Sequence, residues 1–508
     1  MCHRYTSLML ATLIGSPATA QAQTNYQLDP TGASQGVQPL DLGGGGTLYI
    51  CERKFGWDST HVALLNTAPD HTLNGASAFR GHSWVTFLND ADPLGTGYAL
   101  CGSQSSAGLS YAFITHLTGT FATDWSRSID GINGVGFFQD QIAAVIPSGS
   151  SFTAYTKRGG MLASGSYRLF GEESGATWNG QAMTAPAGVL YNVSGAIASA
   201  TDEHTLYGAG AFDPTNWDRS LMLMRTDLTG ATWMKFYDML ASSSTSQAEV
   251  TFSLIPTSDG NFLLAAYFST GASTFEGCLL KLAGDGSVLW CRRYADASGG
   301  LTLKTVVELP GGGLMVAGED AFYHAMVLDL QADGTLVGAR RYQIAGDVVQ
   351  RFHINSLGGL KLLTQDKVIT FNSVGESCDF VDVSTVTSMP HTPTITTHVM
   401  TNAPFTPTTT VLSTPVRTND LSWTPTCVVN GVQEPGPVAG SLVHPVPTAR
   451  TAHIAGLHAD ERVIVRDIAG AVRFDGGYGD GVDMRDWPAG AYFCEVPRVG
   501  WRLRLVRE

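Results

Sequence analysis

The stretch CLLKLAGDGSVLWCRRY, Cys278 to Tyr294, is an apolar run, a short turn and a second apolar run, with a cysteine near each outer end. Asp285-Gly286 supplies the turn, since a glycine after an aspartate accepts backbone angles that other residues resist. Taking the turn as Ala283 to Gly286 pairs Leu280 with Leu289 and sets Cys278 opposite Cys291. Facing residues of an antiparallel pair approach closely enough for a disulfide, so this register predicts one between Cys278 and Cys291. A slip of one residue would leave two separate buried thiols instead.

The pattern widens upstream. VTFSLIPTSDGNFLLAAYF, Val250 to Phe268, is a second hairpin that turns at Ser258 to Asn261, so one unit holds four strands. The plan recurs in LKTVVELPGGGLMVAGED followed by HAMVLDLQADGTLVGARRY. Earlier it recurs in HTLYGAG with SLMLMRTDLTGATWMKFY, in GYALCGS with YAFITHLTGTFATDWSR, and in SFTAYTK with SYRLFGEESGATWNG. TLYICER with HVALLNTAPDHTLNG and the late LKLLTQDKVITFNSVGES are weaker copies. About seven units of roughly 40–57 residues fall in the range of propellers and solenoids. Four antiparallel strands per unit predict an all-β chain whose main part is a β-propeller of about seven blades. Trp125, Trp178, Trp233 and Trp290 recur in the strand after the second turn of their units. Wedging between blades is the expected role of these rings, and sugar stacking is the alternative.

This repeat resembles the secreted propeller-repeat proteins of Bacteroidetes. The resemblance rests on Leu279-Leu280-Lys281-Leu282, Gly286 and Trp290, and on Val327-Leu328-Asp329-Leu330 with Gly334. It spans residues 40 to 378 and speaks for architecture, not for an activity.

Composition agrees with an exported β-protein. Charged residues make up 15% of the 508 residues and glycine contributes 58. A formal charge of −14 opposes a nucleic-acid partner. At the start, Arg4, the apolar run Leu8 to Ile14 and Ala20-Gln21-Ala22 form a secretory leader over 1–22, with cleavage expected before Gln23. An ordinary buried helix is the alternative. Past the leader stand Cys51, Cys101, Cys278, Cys291, Cys378, Cys427 and Cys494, an odd set that leaves at least one thiol free or paired between chains. No C-x-x-C and no tight Cys/His cluster is present, so neither a zinc site nor a cofactor is expected.

The propeller repeats are assigned to 23–378 and a Thr/Pro-rich extension to 379–428, with Cys378 and Cys427 as a candidate bridge tying it back. Alternating Thr and Val suit extended structure, and the prolines confine it to edges or loops. A linker follows over 429–440 and a small β-sandwich over 441–508. This tail resembles the type A C-terminal sorting domain of the type IX secretion system. The match runs through Pro445-Val446-Pro447, Val463 to Asp467 with Gly470, Trp487-Pro488-Ala489-Gly490-Ala491-Tyr492-Phe493, and the basic close Arg502 to Arg507. Val446, Arg466 and Trp487 depart from the family's usual residues, while Pro445, Pro447, Asp467, Gly470, Gly490 and Tyr492 keep its pattern. The resemblance implies export to the surface by the outer-membrane translocon, removal of the tail by a sortase-like peptidase, and attachment to lipopolysaccharide or release. A generic terminal Ig-like domain is the alternative.

Catalytic motifs are sparse. Gly171 to Trp178 approaches the Asp-box of sialidase propellers, with Glu173 in the Asp position, and Thr226 to Trp233 is one residue off that spacing. Neither a G-x-S-x-G elbow nor an H-E-x-x-H motif occurs. Asn89 to Asp92 lacks the spacing of a calcium loop, and His61, His71 and His82 are scattered. Asn192-Val193-Ser194 has the form of a sequon, and Asp58-Ser59-Thr60 resembles the Bacteroidetes O-glycosylation site. The catalytic residues are unknown. The expectation is a surface binding or scaffold module with a glycan or protein ligand. The alternatives are a glycan hydrolase and a structural surface component.

Overall fold

The computed structural model describes residues 23–28, 34–54, 60–69, 71–79, 85–106, 109–130, 140–158, 163, 165–200, 203–211, 219–227, 229–240, 249–271, 274–345, 348–365, 367–371, 377, 380–411, 416–418, 423–429, 443–444, 451–454, 461–467, 471–479, 481–488, 490–496 and 501–507. Among them every regular element is a strand. Two compact units are present, Thr24–Cys427 and the terminal segments Met1–Gln23 with Val428–Glu508.

The larger unit is a seven-bladed β-propeller. Each of seven sheets carries four antiparallel blade strands, consecutive in the chain in six of them. Blade 5 shows the plan, with Glu249–Pro256, Phe262–Ser269, Phe275–Leu282 and Val288–Asp296. Blades 1 to 4 start at Ser34, Val85, Asp140 and Leu190, and blade 6 starts at Leu301. Blade 7 closes the ring from both parts of the chain: Val349–Ile354, Leu360–Thr364 and Lys367–Thr370 are completed by the early strand Gln23–Leu28. Middle strands are largely buried on both faces and read as near-continuous apolar runs, as in Phe262–Ser269. Between blades lie separate apolar clusters, such as the one that joins Leu263, Tyr294, Leu301, Val316 and Leu328 of blades 5 and 6.

The opening stretch forms the expected hairpin, but its register differs. The turn closes one residue later, with the Ala283 amide donating to the Ser287 carbonyl at 2.9 Å and the Gly286 amide to the Ala283 carbonyl at 2.8 Å. A bulge between Lys281 and Leu282 adds a further offset, so Cys291 faces Leu280 and Cys278 faces Arg293. The two cysteines are therefore diagonal neighbours and remain free thiols, not the expected disulfide. Burial pushes the Cys291 thiol up to about 12, with the Cys278 thiol also raised, so both pack as small apolar groups. Cys378 and the side chain of Cys427 lie outside the described residues.

The Thr/Pro-rich extension is a belt. Its strands Phe380–Asp382, Val386–Pro390, Thr394–His398, Thr401–Phe405, Thr408–Val411, Val416–Thr418 and Trp423–Val429 each add a fifth strand to one blade. They visit blades 6, 5, 4, 3, 2, 1 and then 7, against the order in which the blades are written. Each outermost blade strand would otherwise present unpaired N–H and C=O groups, and the belt satisfies them. Prolines such as Pro390 and Pro404 sit within these outermost strands, where a missing N–H costs no ladder bond on the solvent side.

The belt carries a seven-residue beat. Val386, Pro393, Met400 and Pro407 are its buried residues at that spacing, while most of the side chains between them are exposed. Val386 joins the core between blades 5 and 6, and Met400 joins the core between blades 3 and 4. Asn402 adds a polar anchor, its side-chain oxygen accepting from the Ala231 amide at 2.9 Å and its nitrogen donating to the Ala231 carbonyl at 3.1 Å.

The smaller unit holds a three-stranded sheet and a four-stranded sheet ordered Val472–Gly477, Arg462–Asp467, Gly490–Val496, Trp501–Arg507. Val463, Val465, Tyr478, Val482, Met484, Tyr492 and Cys494 form its core.

Candidate functional site: an aromatic turn at the loop end of the ring

Antiparallel order gives the ring two unlike ends. The turns between first and second, and between third and fourth, strands lie at one end; the remaining connections lie at the other. Several turns at the hairpin end are engaged in contacts between blades. Gly286, at φ +76, lies under the Trp233 ring, and a Cβ there would come within 2.7 Å of it. Gly334 of blade 6 meets Trp290 of blade 5 in the same way, and Gly175 of blade 3 meets Trp125 of blade 2. A tyrosine four residues after the tryptophan completes two of these clasps: Tyr237 donates to the Gly286 carbonyl and Tyr294 to the Gly334 carbonyl, both at 2.7 Å. Lys235 and Arg292 donate to the carbonyls of Asp285 and Asp333. Three of the four recurrent tryptophans therefore wedge between blades. Trp178 instead bonds the Gly175 carbonyl of its own blade and meets Trp125 edge-on.

Glu173, the Asp-box analogue, is used the same way. Its carboxylate accepts from the amide and hydroxyl of Thr96 in blade 2, at 3.0 and 3.3 Å. The carboxylate thus latches the blade 3 turn onto blade 2.

The innermost strands surround the axis, and each carries a bulge against its neighbour. The bulges aim polar groups at the next blade. Asp90 accepts from the Val145 amide at 3.1 Å, Thr305 from the Phe352 amide at 2.9 Å, and Gln38 donates to the Asn89 carbonyl at 3.0 Å. Asn89 in turn donates to the Ile142 carbonyl and accepts from Lys157. The Asn89–Asp92 segment, weighed above as a calcium loop, is thus an interblade joint. Glu52, Glu249 and Glu319 act likewise, accepting from the amides of Leu88, Leu221 with Met239, and Val349. Asp92 differs: burial and the neighbouring Asp90 charge hold its carboxyl well above the usual range, against the pull of Arg351. Asp90 is also raised by burial.

At the loop end, blade 6 presents a different feature. The turn Ala321 to Tyr323 joins Leu314–Asp320 to His324–Leu330. Phe322 is 61% and Tyr323 62% exposed. Tyr323 holds φ +60, a left-handed conformation that a bulky residue avoids. His71 and Phe121 also take positive φ, but they stand where other blades place the turn glycine, and Phe121 stacks on Tyr98 at 5.6 Å. The Tyr323 ring projects into solvent.

A buried carboxylate locks this turn. Asp320, with a side chain 2% exposed, accepts from the Phe322 and His324 amides at 2.8 and 2.9 Å and from His324 Nδ1 at 2.9 Å. The base of the turn is tight as well, since a Cβ on Gly300 would lie 3.0 Å from Ala321. His324 Nε2 and the Arg341 guanidinium, whose approach to Asp320 is 3.9 Å, remain for an incoming group. Nothing in the repeat pattern marks this turn; adjacent aromatics in a two-strand turn, Ala321-Phe322-Tyr323, were the available signal.

Of the tail residues that match a sorting motif, Asp467 caps the turn after its strand by accepting from the Ala471 amide and Arg473. Gly490 opens the strand that runs beside Asp467. Tyr492 is buried against Trp487 and donates to the Pro488 carbonyl at 2.6 Å. Pro445, Pro447 and Gly470 lie outside the described residues. Among the described residues no group of His, Cys, Asp and Glu is arranged for a metal ion, and no helix is long and apolar enough to cross a membrane.

No family model matches the chain, and no curated protein does. Among solved structures, Sqt1 from Chaetomium thermophilum is similar at 13% identity over 58% of this chain and 71% of that one, with a TM-score of 0.35. The extracellular domain of the putative hybrid two-component system BT4673 from B. thetaiotaomicron aligns over 96% of this chain and 98% of its own, at 8% identity and a TM-score of 0.14.

Proposed function

We propose that this chain is an exported, non-catalytic binding propeller that meets its ligand at the loop end of the ring. The contrast between the ends carries this reading. Several hairpin turns are spent on neighbouring blades, whereas the blade 6 turn holds two aromatic rings outward at the expense of a strained backbone. Buried carboxylates that could serve hydrolysis are mostly engaged by backbone amides. The test is a panel of glycans and polymers presented to the oxidised full chain, scored for both binding and product. Saturable binding without product supports the reading; product release overturns it.

The leader and the tail extend the proposal to a route: Sec-dependent passage, recognition of residues 441–508 by a type IX translocon of a Bacteroidetes cell, and removal by a sortase-like peptidase before attachment to lipopolysaccharide or release. Support comes from the motif residues of the tail and from the fold of its own two sheets. Deleting 441–508 should trap the protein inside the native host; continued arrival at the surface would sink the route. One observation favours a glycan hydrolase as the second reading. Asp90 and Asp92 are neighbouring carboxyls whose pKa is raised by burial against the pull of Arg351, as a general acid needs. An Asp92→Asn variant separates the two, because only a hydrolase would lose turnover.

A further inference from the structure

We propose that the blade 6 turn is a carbohydrate-binding site, with Phe322 and Tyr323 as stacking faces and His324 and Arg341 as polar partners; this rests on the binding reading above. Both rings stand exposed on the turn. A ligand that fits needs a flat apolar face and a polar rim, which describes a sugar ring. Two exposed rings are too small an apolar area for a stable protein interface, which buries about 800 Å² per partner. An apolar lipid chain would leave the flanking polar groups unpaired.

Three features prepare the site. The Asp320 carboxylate fixes the turn from below through two amides and the His324 ring. Accepting from Nδ1–H, it leaves His324 Nε2 as the nitrogen open to a sugar hydroxyl. Arg341 is 42% exposed and brings a planar fork of donors to the same strand ends. The left-handed backbone at Tyr323 directs its ring outward, and a glycine would hold the same turn without strain. The chain keeps a tyrosine there. A net charge of −14 favours neutral over acidic polysaccharides, although Arg341 could meet either locally.

The experiment uses the full chain with neutral and acidic polysaccharides, by array and then by titration calorimetry. Phe322→Ala should weaken binding at least tenfold. Tyr323→Gly should abolish it while raising the melting temperature, a pairing that a merely structural role would not produce. Leu289→Ala, an exposed apolar residue of blade 5, serves as control and should bind as wild type. If wild type binds a glycan and Tyr323→Gly binds it equally, the site is elsewhere and only this inference falls. If wild type binds neither glycan nor polymer, the binding reading falls with it. Capture of a protein partner, lost in the aromatic variants with no glycan bound, overturns the carbohydrate assignment.

Discussion

The inner ring of bulges and the outer belt solve the same problem by opposite chemistry. Near the axis, innermost strands of adjacent blades converge, and carboxylates, amides and hydroxyls reach directly from one blade to the next. At the rim the blades diverge, and the side chains that still span the gap, such as Tyr237, Tyr294 and Asn402, do so beside the hairpin turns. There the chain inserts backbone, with one buried anchor every seven residues. Between Asp382 and Arg417 the belt has no Asp, Glu, Lys or Arg at all. Directional bonds hold where distances are short and fixed; ladder pairing and an apolar plug hold where they are long.

The sharpest way to break that contrast is at the inner ring. Glu319 is buried, accepts from the Val349 amide at 2.7 Å and pairs with Lys304 at 2.6 Å. Glu319→Ala strands both partners and should cost about 4 kcal/mol in urea unfolding, since breaking a buried pair is strongly unfavourable. Met400→Ala should cost about 3 kcal/mol by the same measurement, as a buried anchor truncated to leave a cavity. An equal or larger loss at Met400 would show that the belt, not the inner ring, dominates cohesion.

A matched pair sharpens the comparison at the hairpin end. Gly286 and Gly260 have nearly the same φ, +76 and +78, but only Gly286 has Trp233 and Tyr237 over it, and Gly260 has nothing within 4 Å. Gly286→Ala should cost about 3 kcal/mol and Gly260→Ala about 1 kcal/mol, because strain is common to both and overpacking is not. Equal losses would mean that the tryptophan clasp yields freely.

The smallest effect is a dependence on pH. Burial lowers His204 and His353 to about 4. Their folded values lie below the unfolded one, so the stability they confer is present above about pH 6.5 and is lost as pH falls toward 4. Lys361 and Arg351 oppose a charge on His353, and Arg168 opposes one on His204, while Asp41 acts the other way on His353. Both sites are partly solvated, so about 1 kcal/mol each is expected between pH 7 and 5. A His204→Gln, His353→Gln variant should flatten the melting temperature over that interval; an unchanged slope would place the acid sensitivity elsewhere.

Much of the ring was legible in the sequence. Asp-Gly turns between apolar runs marked the hairpins, and the tryptophans marked the strand that meets the next blade. The register was not, because a bulge at Lys281/Leu282 leaves no mark in a run of apolar residues, and it moved Cys278 away from facing Cys291. The belt was half legible: threonine and proline foretold edge structure, but most partners of those edges lie more than a hundred residues away. Its beat was written in Met389-Pro390-His391-Thr392-Pro393 and Ala403-Pro404-Phe405-Thr406-Pro407, which are fourteen residues apart, or two blades. Blade 7's completion by Gln23–Leu28 had no local signal either, since an early strand and a late edge share no pattern. The aromatic turn was invisible for a different reason: exposure and backbone strain are properties of place.

The belt's direction also ties the blades to one another in series. It pairs with all seven blades at about one blade per seven residues, so its register on one blade fixes its register on the next. A chain with a missing or misplaced blade would leave one belt segment without an edge and its buried anchor in water. The belt thus makes each blade's edge a condition of the whole rim's pairing.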